Sequence, residues 1–268
     1  MISIKIMGGL GNQMFQWAFA RSLQETYGHS IGYDGSFYLT ATSDNLCKRY
    51  FALNKFPNIV FNREGLEWSK LPVRSEAYQV NDYFDYEKVP KMNRREKLYV
   101  LTGYWQSEKY FIENENIIRN NLEISKDLDY NIRSKYNWIG SEDTVSIHIR
   151  RTDYLTTNGV HPVQPVSYYE QALDLIGKKK IIVFSDDIEW CKDTLTFPNM
   201  EFISGNDEIT DLYLMSMCND HVIANSSFSW WSAWLNKNKD KKVVAPKKWF
   251  GAGGMCDKDI VPETWTKI

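Results

Sequence analysis

Hydrophobic and polar positions follow two regimes along the 268 residues. At the amino terminus Ile2-Ser3-Ile4-Lys5-Ile6 alternates with period two and predicts a strand, and Met14, Phe15, Ala18 and Leu23 then recur at helical spacing. Gly8-Gly9-Leu10-Gly11-Asn12-Gln13 joins them, so the segment reads strand, glycine turn, helix. From 35 to 135 the period is uneven, with aromatic clusters at Tyr83-Phe84-Asp85-Tyr86 and Tyr104-Trp105-Gln106. Within that stretch Leu98 to Leu101 predicts a strand and Tyr110 to Ile118 a helix. Beyond residue 140 the pattern sharpens. Strand-like runs at Val145–Ile149, Ile181–Phe184, Glu201–Ile203, Val222–Ala224 and Val243–Ala245 alternate with helical ones at 167–176, 188–195, 207–218 and 227–236. That alternation predicts an α/β lobe built on a parallel, Rossmann-like sheet. Ser167 and Glu170, just after Pro165, have the spacing of a capping box. Gly140 and Ser141 precede the first clean strand, which sets the lobe boundary near 138–142 and divides the chain into 1–140 and 141–268.

Charge appears where an apolar strand stops. In Ser146-Ile147-His148-Ile149-Arg150-Arg151-Thr152-Asp153-Tyr154, alternation puts Ser146, His148 and Arg150 on one face and Ile147 and Ile149 on the other. Buried parallel strands seldom carry charge unless it meets a ligand beyond their carboxyl ends. Two forked, permanently charged guanidinium groups suit a phosphate or diphosphate. A structural Arg–Asp ion pair is the competing explanation.

Carboxyl ends of parallel strands share one edge, so two further runs converge there. Ser185-Asp186-Asp187 offers acceptors that fit the N–H edge of a guanine, or caps for the following helix. Asn225-Ser226-Ser227-Phe228-Ser229 opens a helix whose free N–H groups suit a diphosphate, or else supplies its own caps. His148 is either a ligand to base or phosphate or a satisfied core histidine; His29, His161 and His221 read as structural. At the amino terminus Gly9 and Gly11 either let backbone approach a ligand beside a helix start or simply make a tight turn before a capped helix, and the third glycine is misplaced for a dinucleotide fingerprint. Trp230, Trp231 and Trp234 fall at helical spacing and read as core.

Composition removes several classes. The 32 basic and 34 acidic residues nearly cancel and form no long blocks, which argues against nucleic-acid binding. Cys47, Cys191, Cys218 and Cys256 lie far apart without metal spacing, consistent with a reducing cytosol. No apolar run approaches the roughly 20 residues of a membrane helix. The Asp-x-Asp pairs Asp127/Asp129 and Asp257/Asp259 lie at a helix start and in a glycine-rich tail, not after an apolar strand, so no metal site is expected. Aromatics at Tyr83, Phe84, Tyr86 and Trp105 either stack on a sugar or pack in a core.

Four blocks in this order resemble the α-1,2-fucosyltransferases, family eleven of the glycosyltransferases: Gly8 to Gln16, Gly103 to Phe111, His148 to Tyr154, and Asn225 to Trp231. Trp17 stands where many relatives have tyrosine. The resemblance implies a two-lobed GT-B-like fold, with an acceptor side in the first lobe and donor binding in the second. It implies GDP-fucose as donor substrate, no cofactor or metal, and inversion at fucose C1 to form an α-1,2 bond to a galactose-terminated glycan, free or lipid-linked. By that likeness Arg150 holds the diphosphate, with Arg151 beside it or orienting the loop. His148, Asp186 and Asp187 meet guanine or ribose and Ser226 to Ser229 meet phosphate, with Ser185 and Asn225 counted among the donor-binding residues. Asp153 is the candidate general base, or orients Arg151 or Tyr154; Asn12 positions donor or acceptor. Vertebrate relatives carry an amino-terminal anchor, whereas this sequence opens on its first strand, so a bacterial cytoplasmic enzyme without stable membrane insertion is expected, with a peripheral place at the inner membrane as the open alternative.

Overall fold

The computed structural model describes residues 2–40, 49–60, 75–79, 98–157, 159–251 and 255–268. The chain forms two compact α/β units, one of residues 1–124 with 255–260 and one of 125–254 with 261–268. The cluster Tyr83 to Tyr86 lies outside the described residues.

In the first unit β1 (Ile2–Lys5), α1 (Leu10–Tyr27), β2 (Ile31–Asp34), α2 (Phe37–Thr40), β3 (Ser75–Gln79), β4 (Leu98–Thr102) and α3 (Glu115–Asn121) follow in chain order. Its strands form one sheet in the order β2-β1-β4-β3, every described pairing parallel. Because β1 is interior, Ser3 is buried along with Ile2 and Ile4, so sequence alternation here marks two covered faces. Helix α1 stops at Gly28, whose φ of 67° supplies the left-handed cap, with its N–H donating to the Gln24 carbonyl. The helix expected over Tyr110 to Ile118 is instead two 3-10 turns, Glu108–Tyr110 and Ile112–Asn114, ahead of α3. Ser107 caps the first of them, its Oγ accepting from Lys109 N–H.

The second unit contains α4 (Lys126–Lys135), β5 (Thr144–Ile149), α5 (Val166–Ile176), β6 (Lys180–Ser185), α6 (Ile188–Thr194), β7 (Met200–Phe202), α7 (Glu208–Ser216), β8 (Asp220–Val222), α8 (Ser227–Leu235), β9 (Val243–Ala245) and β10 (Thr266–Lys267). Its six strands run in the order β10-β9-β8-β5-β6-β7, again parallel throughout. From β5 the chain proceeds outward through β6 and β7, then returns to the other side of β5 for β8, β9 and β10. Strand order therefore reverses between β5 and β8, and in open α/β sheets ligands bind beyond the carboxyl ends at such a switch point.

Two expectations need correction. The division falls at 124/125, because α4 belongs to the second unit: Ile132 is buried, and Lys135 Nζ and Tyr136 Oη both donate to Asn206 Oδ1. Residues 255–260 return to the first unit, where Asp259 pairs with Lys109 at 2.7 Å. The Ser167/Glu170 capping box does not form, since α5 starts one residue earlier on Pro165, which makes no side-chain cap bond.

At the amino-terminal edge of the second sheet the charges are structural. Lys179 bridges Asp143 and Asp220, and Lys180 bridges Glu142 and Glu201, which joins the starts of β5, β6, β7 and β8.

Candidate functional site

The switch point is built from the end of β5 outward. Ile147 and Ile149 pack with Tyr168, Tyr169 and Ala172 of α5, while Ser146 and His148 face the other way. Ser146 Oγ lies 2.8 Å from His221 Nδ1, and Asn236 Nδ2 donates to His221 Nε2 at 2.7 Å. That donor makes Nε2 the acceptor, so His221 carries its proton on Nδ1 and donates to Ser146. His148 sits 5.7 Å from the Phe228 ring, with no described partner at Nδ1.

Arg150 leaves the strand end into a carboxylate clamp. Its Nη2 donates to Asp153 at 2.7 Å, its Nε lies 3.3 Å from Asp186, and its guanidinium sits 5.7 Å from the Tyr154 ring. Burial opposes the charge, but the bond to Asp153 and the charges of Asp186 and Asp153 outweigh it and hold the Arg150 pKa above its ordinary value. The clamp leaves Nη1, with two N–H donors, free of any described protein partner. Arg151 turns the other way, stacked 3.7 Å over Trp190 with Nε donating to Asp187 at 3.1 Å. It anchors the loop to α6.

The Ser185-Asp186-Asp187 run is largely occupied by protein. Asp186 accepts from the backbone of Arg151 and Thr152 and from the Thr152 hydroxyl. Asp187 caps α6 through Trp190 N–H, and Ser185 Oγ accepts from Asp187 N–H. The acceptors expected to meet a guanine edge thus hold the β5 loop and start a helix.

Across the switch point, Asn225 is locked: Nδ2 donates to the Trp249 carbonyl, Oδ1 accepts from Gln164, and its own carbonyl accepts from Tyr154 Oη at 2.7 Å. Ser229 is fully buried and bonds back to the Ser226 carbonyl, away from any ligand. Ser226 occupies the N-cap of α8 without a side-chain cap bond, and Ser227 and Phe228 are half-buried. The helix start is open to an anion. Arg150 and this helix therefore share one edge, linked through Tyr154.

Several members were not read from the sequence. His161 stacks on Tyr154 at 5.0 Å and lies 5.5 Å from Phe250; burial lowers its pKa, against the pull of Asp153. Gln164 and Phe250 join the same wall. Gly251 N–H donates to Val160, and a Cβ at Gly251 would fall 1.7 Å from the Gly159 carbonyl oxygen. Gly251→Ala is therefore expected to cost about 1–3 kcal/mol and to displace the 159–161 loop. Calorimetric melting together with turnover checks this, and an unchanged variant in both would refute the contact.

The two buried imidazoles give a pH signature. Burial, the largest cause for each, lowers His148 to about 4 and His221 to about 3. Unfolded histidine titrates near 6.5, so below that pH the unfolded state binds the proton first. Stability is full above 6.5 and falls as pH drops toward the folded values, by roughly 1 kcal/mol per pH unit for each ring. Melting between pH 7.5 and 5 is expected to show this slope, with His221→Gln removing part of it; a flat profile would exclude it.

In the first unit Gly8 adopts φ of 82°, Gly9 is the N-cap of α1, and Gly11 is buried in its first turn. Gln13 donates to the carbonyls of Gly8 and Tyr50 and accepts from Ala52 N–H; Gln16 accepts from Met7 N–H and donates to Gly103. The two glutamines of the block stitch the glycine turn to its neighbours. Trp105 is completely buried, so the stacking role considered for it gives way to core packing. Asp129 pairs with Arg133 in α4, and no group of three or more metal-ligating side chains occurs among the described residues. No described helix is long and apolar enough to cross a membrane.

Two α/β units, each on a parallel sheet, the second with a clamped arginine and an uncapped helix start at its switch point, give the chain a Rossmann-like architecture. Residues 68–268 match Glycosyl transferase family 11, and the chain belongs to that family. It is a glycosyltransferase. It is 33% identical to the O-antigen biosynthesis glycosyltransferase WbnK of Escherichia coli, over 98% of this chain and 99% of that one. It is 34% identical to an Escherichia coli alpha-1,2-colitosyltransferase, over 98% and 97%. The crystal structure of NodZ alpha-1,6-fucosyltransferase soaked with GDP-fucose superposes with a TM-score of 0.52 at 16% identity, covering 87% of this chain and 92% of that one. The fold is accordingly GT-B-like.

Proposed function

We propose that this enzyme transfers L-fucose from GDP-fucose to the 2-hydroxyl of a galactose in a glycan acceptor, with inversion and without a metal. The observation that carries the proposal is Arg150 Nη1 and the uncapped start of α8 on one sheet edge, a cation and a helix terminus of the kind that would stabilise a departing diphosphate. The sequence blocks shared with α-1,2-fucosyltransferases support the donor, and a full-length relative named for α-1,2 transfer supports the linkage. The O-antigen role in the other relative's name supports a surface-glycan repeat as acceptor, including a lipid-linked one.

In the proposed step the galactose 2-hydroxyl oxygen bonds to C1 as the bond from C1 to the β-phosphate oxygen breaks. The hydroxyl proton leaves to a base, and GDP takes the electron pair. Asp153 is engaged by Arg150, and an ion-paired carboxylate is a weak proton acceptor, so its role here is to aim the guanidinium. Guanine recognition falls to His148 rather than to the occupied Asp186.

A second donor has direct support from the colitosyltransferase likeness. Colitose is fucose lacking one hydroxyl, so both donors present the same diphosphate to Arg150. Purified protein, incubated with GDP-fucose or GDP-colitose, a panel of β-galactosides and EDTA, tests all parts. Fucosyl transfer in EDTA is expected; transfer only from GDP-colitose would correct the donor, and loss with EDTA would overturn the metal-free step. The cytoplasm, where GDP-sugars would reach it, is the proposed location.

A further inference from the structure

The first unit contains a polar arrangement that diphosphate binding at the second does not use. After β4 the chain turns at Trp105, whose φ of 53° lies in the left-handed region that a bulky side chain rarely adopts. Core packing enforces it, with the indole 4.5 Å from Phe19 and 5.6 Å from Tyr110 between ring centroids. Ser107 N–H donates to the Trp105 carbonyl at 2.9 Å and closes the turn. Gln106 is thereby brought against the first turn of α1, where its Nε2 donates to Asn12 Oδ1 at 2.6 Å.

The bond sets the two amides relative to each other, Gln106 contributing its nitrogen and Asn12 its oxygen. With Oδ1 engaged, Asn12 presents its Nδ2 donors. A Cβ at Gly8 would lie 2.8 Å from that Nδ2, so glycine there is what leaves the amide its room. Gln106 is only 7% exposed, yet its Oε1 accepts from no group among the described residues. An unsatisfied buried acceptor is costly, and one next to a strained backbone fits a group held for a ligand.

A neutral donor beside a neutral acceptor fits a particular chemistry. In a vicinal diol one hydroxyl can donate to Oε1 while its neighbour accepts from Nδ2. A phosphate oxygen, which only accepts, would face Oε1 with no proton between them. We infer that Asn12 and Gln106 form a subsite for a pyranose vicinal diol, in which Gln106 both meets a hydroxyl and fixes the orientation of Asn12. This rests on the glycosyl-transfer proposal for the identity of the sugar. The diol belongs either to the acceptor galactose or to the donor fucose, and kinetics separate the two.

Gln106→Leu removes both amide groups, whereas Gln106→Glu keeps an acceptor but cannot donate to Asn12, which turns the asparagine amide round. Each variant is expected to raise one sugar's KM about tenfold with little change in melting temperature. If the acceptor supplies the diol, acceptor KM rises and hydrolysis of GDP-fucose without acceptor is unchanged. If the donor supplies it, KM for GDP-fucose rises while inhibition by GDP, which lacks the sugar, stays the same. Saturation-transfer NMR of the unmodified protein with methyl β-galactoside, methyl α-fucoside and their deoxy analogues reads the subsite without catalysis or substitution. Failure of the unmodified protein to transfer fucose would refute the function and leave this binding readout intact. KM values that do not move, deoxy sugars that bind as well as their parents, or a parallel loss of kcat, both KM values and melting temperature would overturn the subsite.

Discussion

Replacing Arg150 with alanine is expected to lower kcat by at least about a hundredfold, equivalent to ~3 kcal/mol of lost stabilisation of the departing diphosphate. The side chain is the described cation at the β5–β8 switch point with an unoccupied pair of donors. Arg150→Lys keeps the charge but not the fork, so it should recover only part of the rate, because one ammonium cannot bond Asp153, approach Asp186 and reach a ligand in the same geometry. Initial rates with GDP-fucose, alongside calorimetric titration of GDP, separate the outcomes. A folded Arg150→Ala enzyme working at full rate would remove this residue from the chemistry.

The second large effect is on the fold around that arginine. Asp186→Ala deletes the acceptor for two backbone N–H groups and one hydroxyl, and leaves Asp153 as the one described carboxylate partner of Arg150. Losing several bonds to one partly buried carboxylate should cost about 2–4 kcal/mol, and the melting temperature should fall on the order of 5–10 °C. Asp187→Ala, which removes one helix cap and a pair with Arg151, should cost nearer ~1 kcal/mol. Thermal denaturation of the two variants side by side gives the comparison. Equal melting of Asp186→Ala and the unmodified protein would show that the loop needs no such clamp.

Much of the second unit was legible because its strands are near-continuous apolar runs and helices such as α5 bury one face, whereas α8 is buried all round. β5, β6 and β9 fall where Val145, Ile181 and Val243 predict them. β8 starts two residues before its predicted Val222, since Asp220 and His221 are paired inside rather than exposed: Asp220 accepts from Lys242 N–H and holds Lys179. The unit boundary was not legible. Only tertiary contacts show that α4 joins the second sheet and that Asp259 returns to Lys109.

At the site, Arg150 announced itself by following an apolar strand, and its place beside the α8 terminus followed from parallel strand geometry. The partners of Asp186 could not be read, because backbone acceptors leave no mark in residue type. His161, Gln164, Phe250 and Gly251 sit on loops that carry no period. For His161 and Gln164 the one sequence cue was the long stretch between β5 and α5, which must fold back on something. Gln106 lay in a recognised block, but the strained turn that aims it is a property of φ at Trp105.

The packing of α8 has a practical corollary. Trp230 and Trp231 lie 5.2 Å apart at 75°, Trp234 is parallel to Trp230 at 6.2 Å, and Trp265 closes within 5.4 Å. Indoles this close exchange excitation energy, so the second unit should display a strong near-ultraviolet dichroism band and depolarised emission. Phe228 lies in the first turn of the same helix, so binding at the proposed diphosphate site is expected to perturb this built-in chromophore array and to be followed optically without a label.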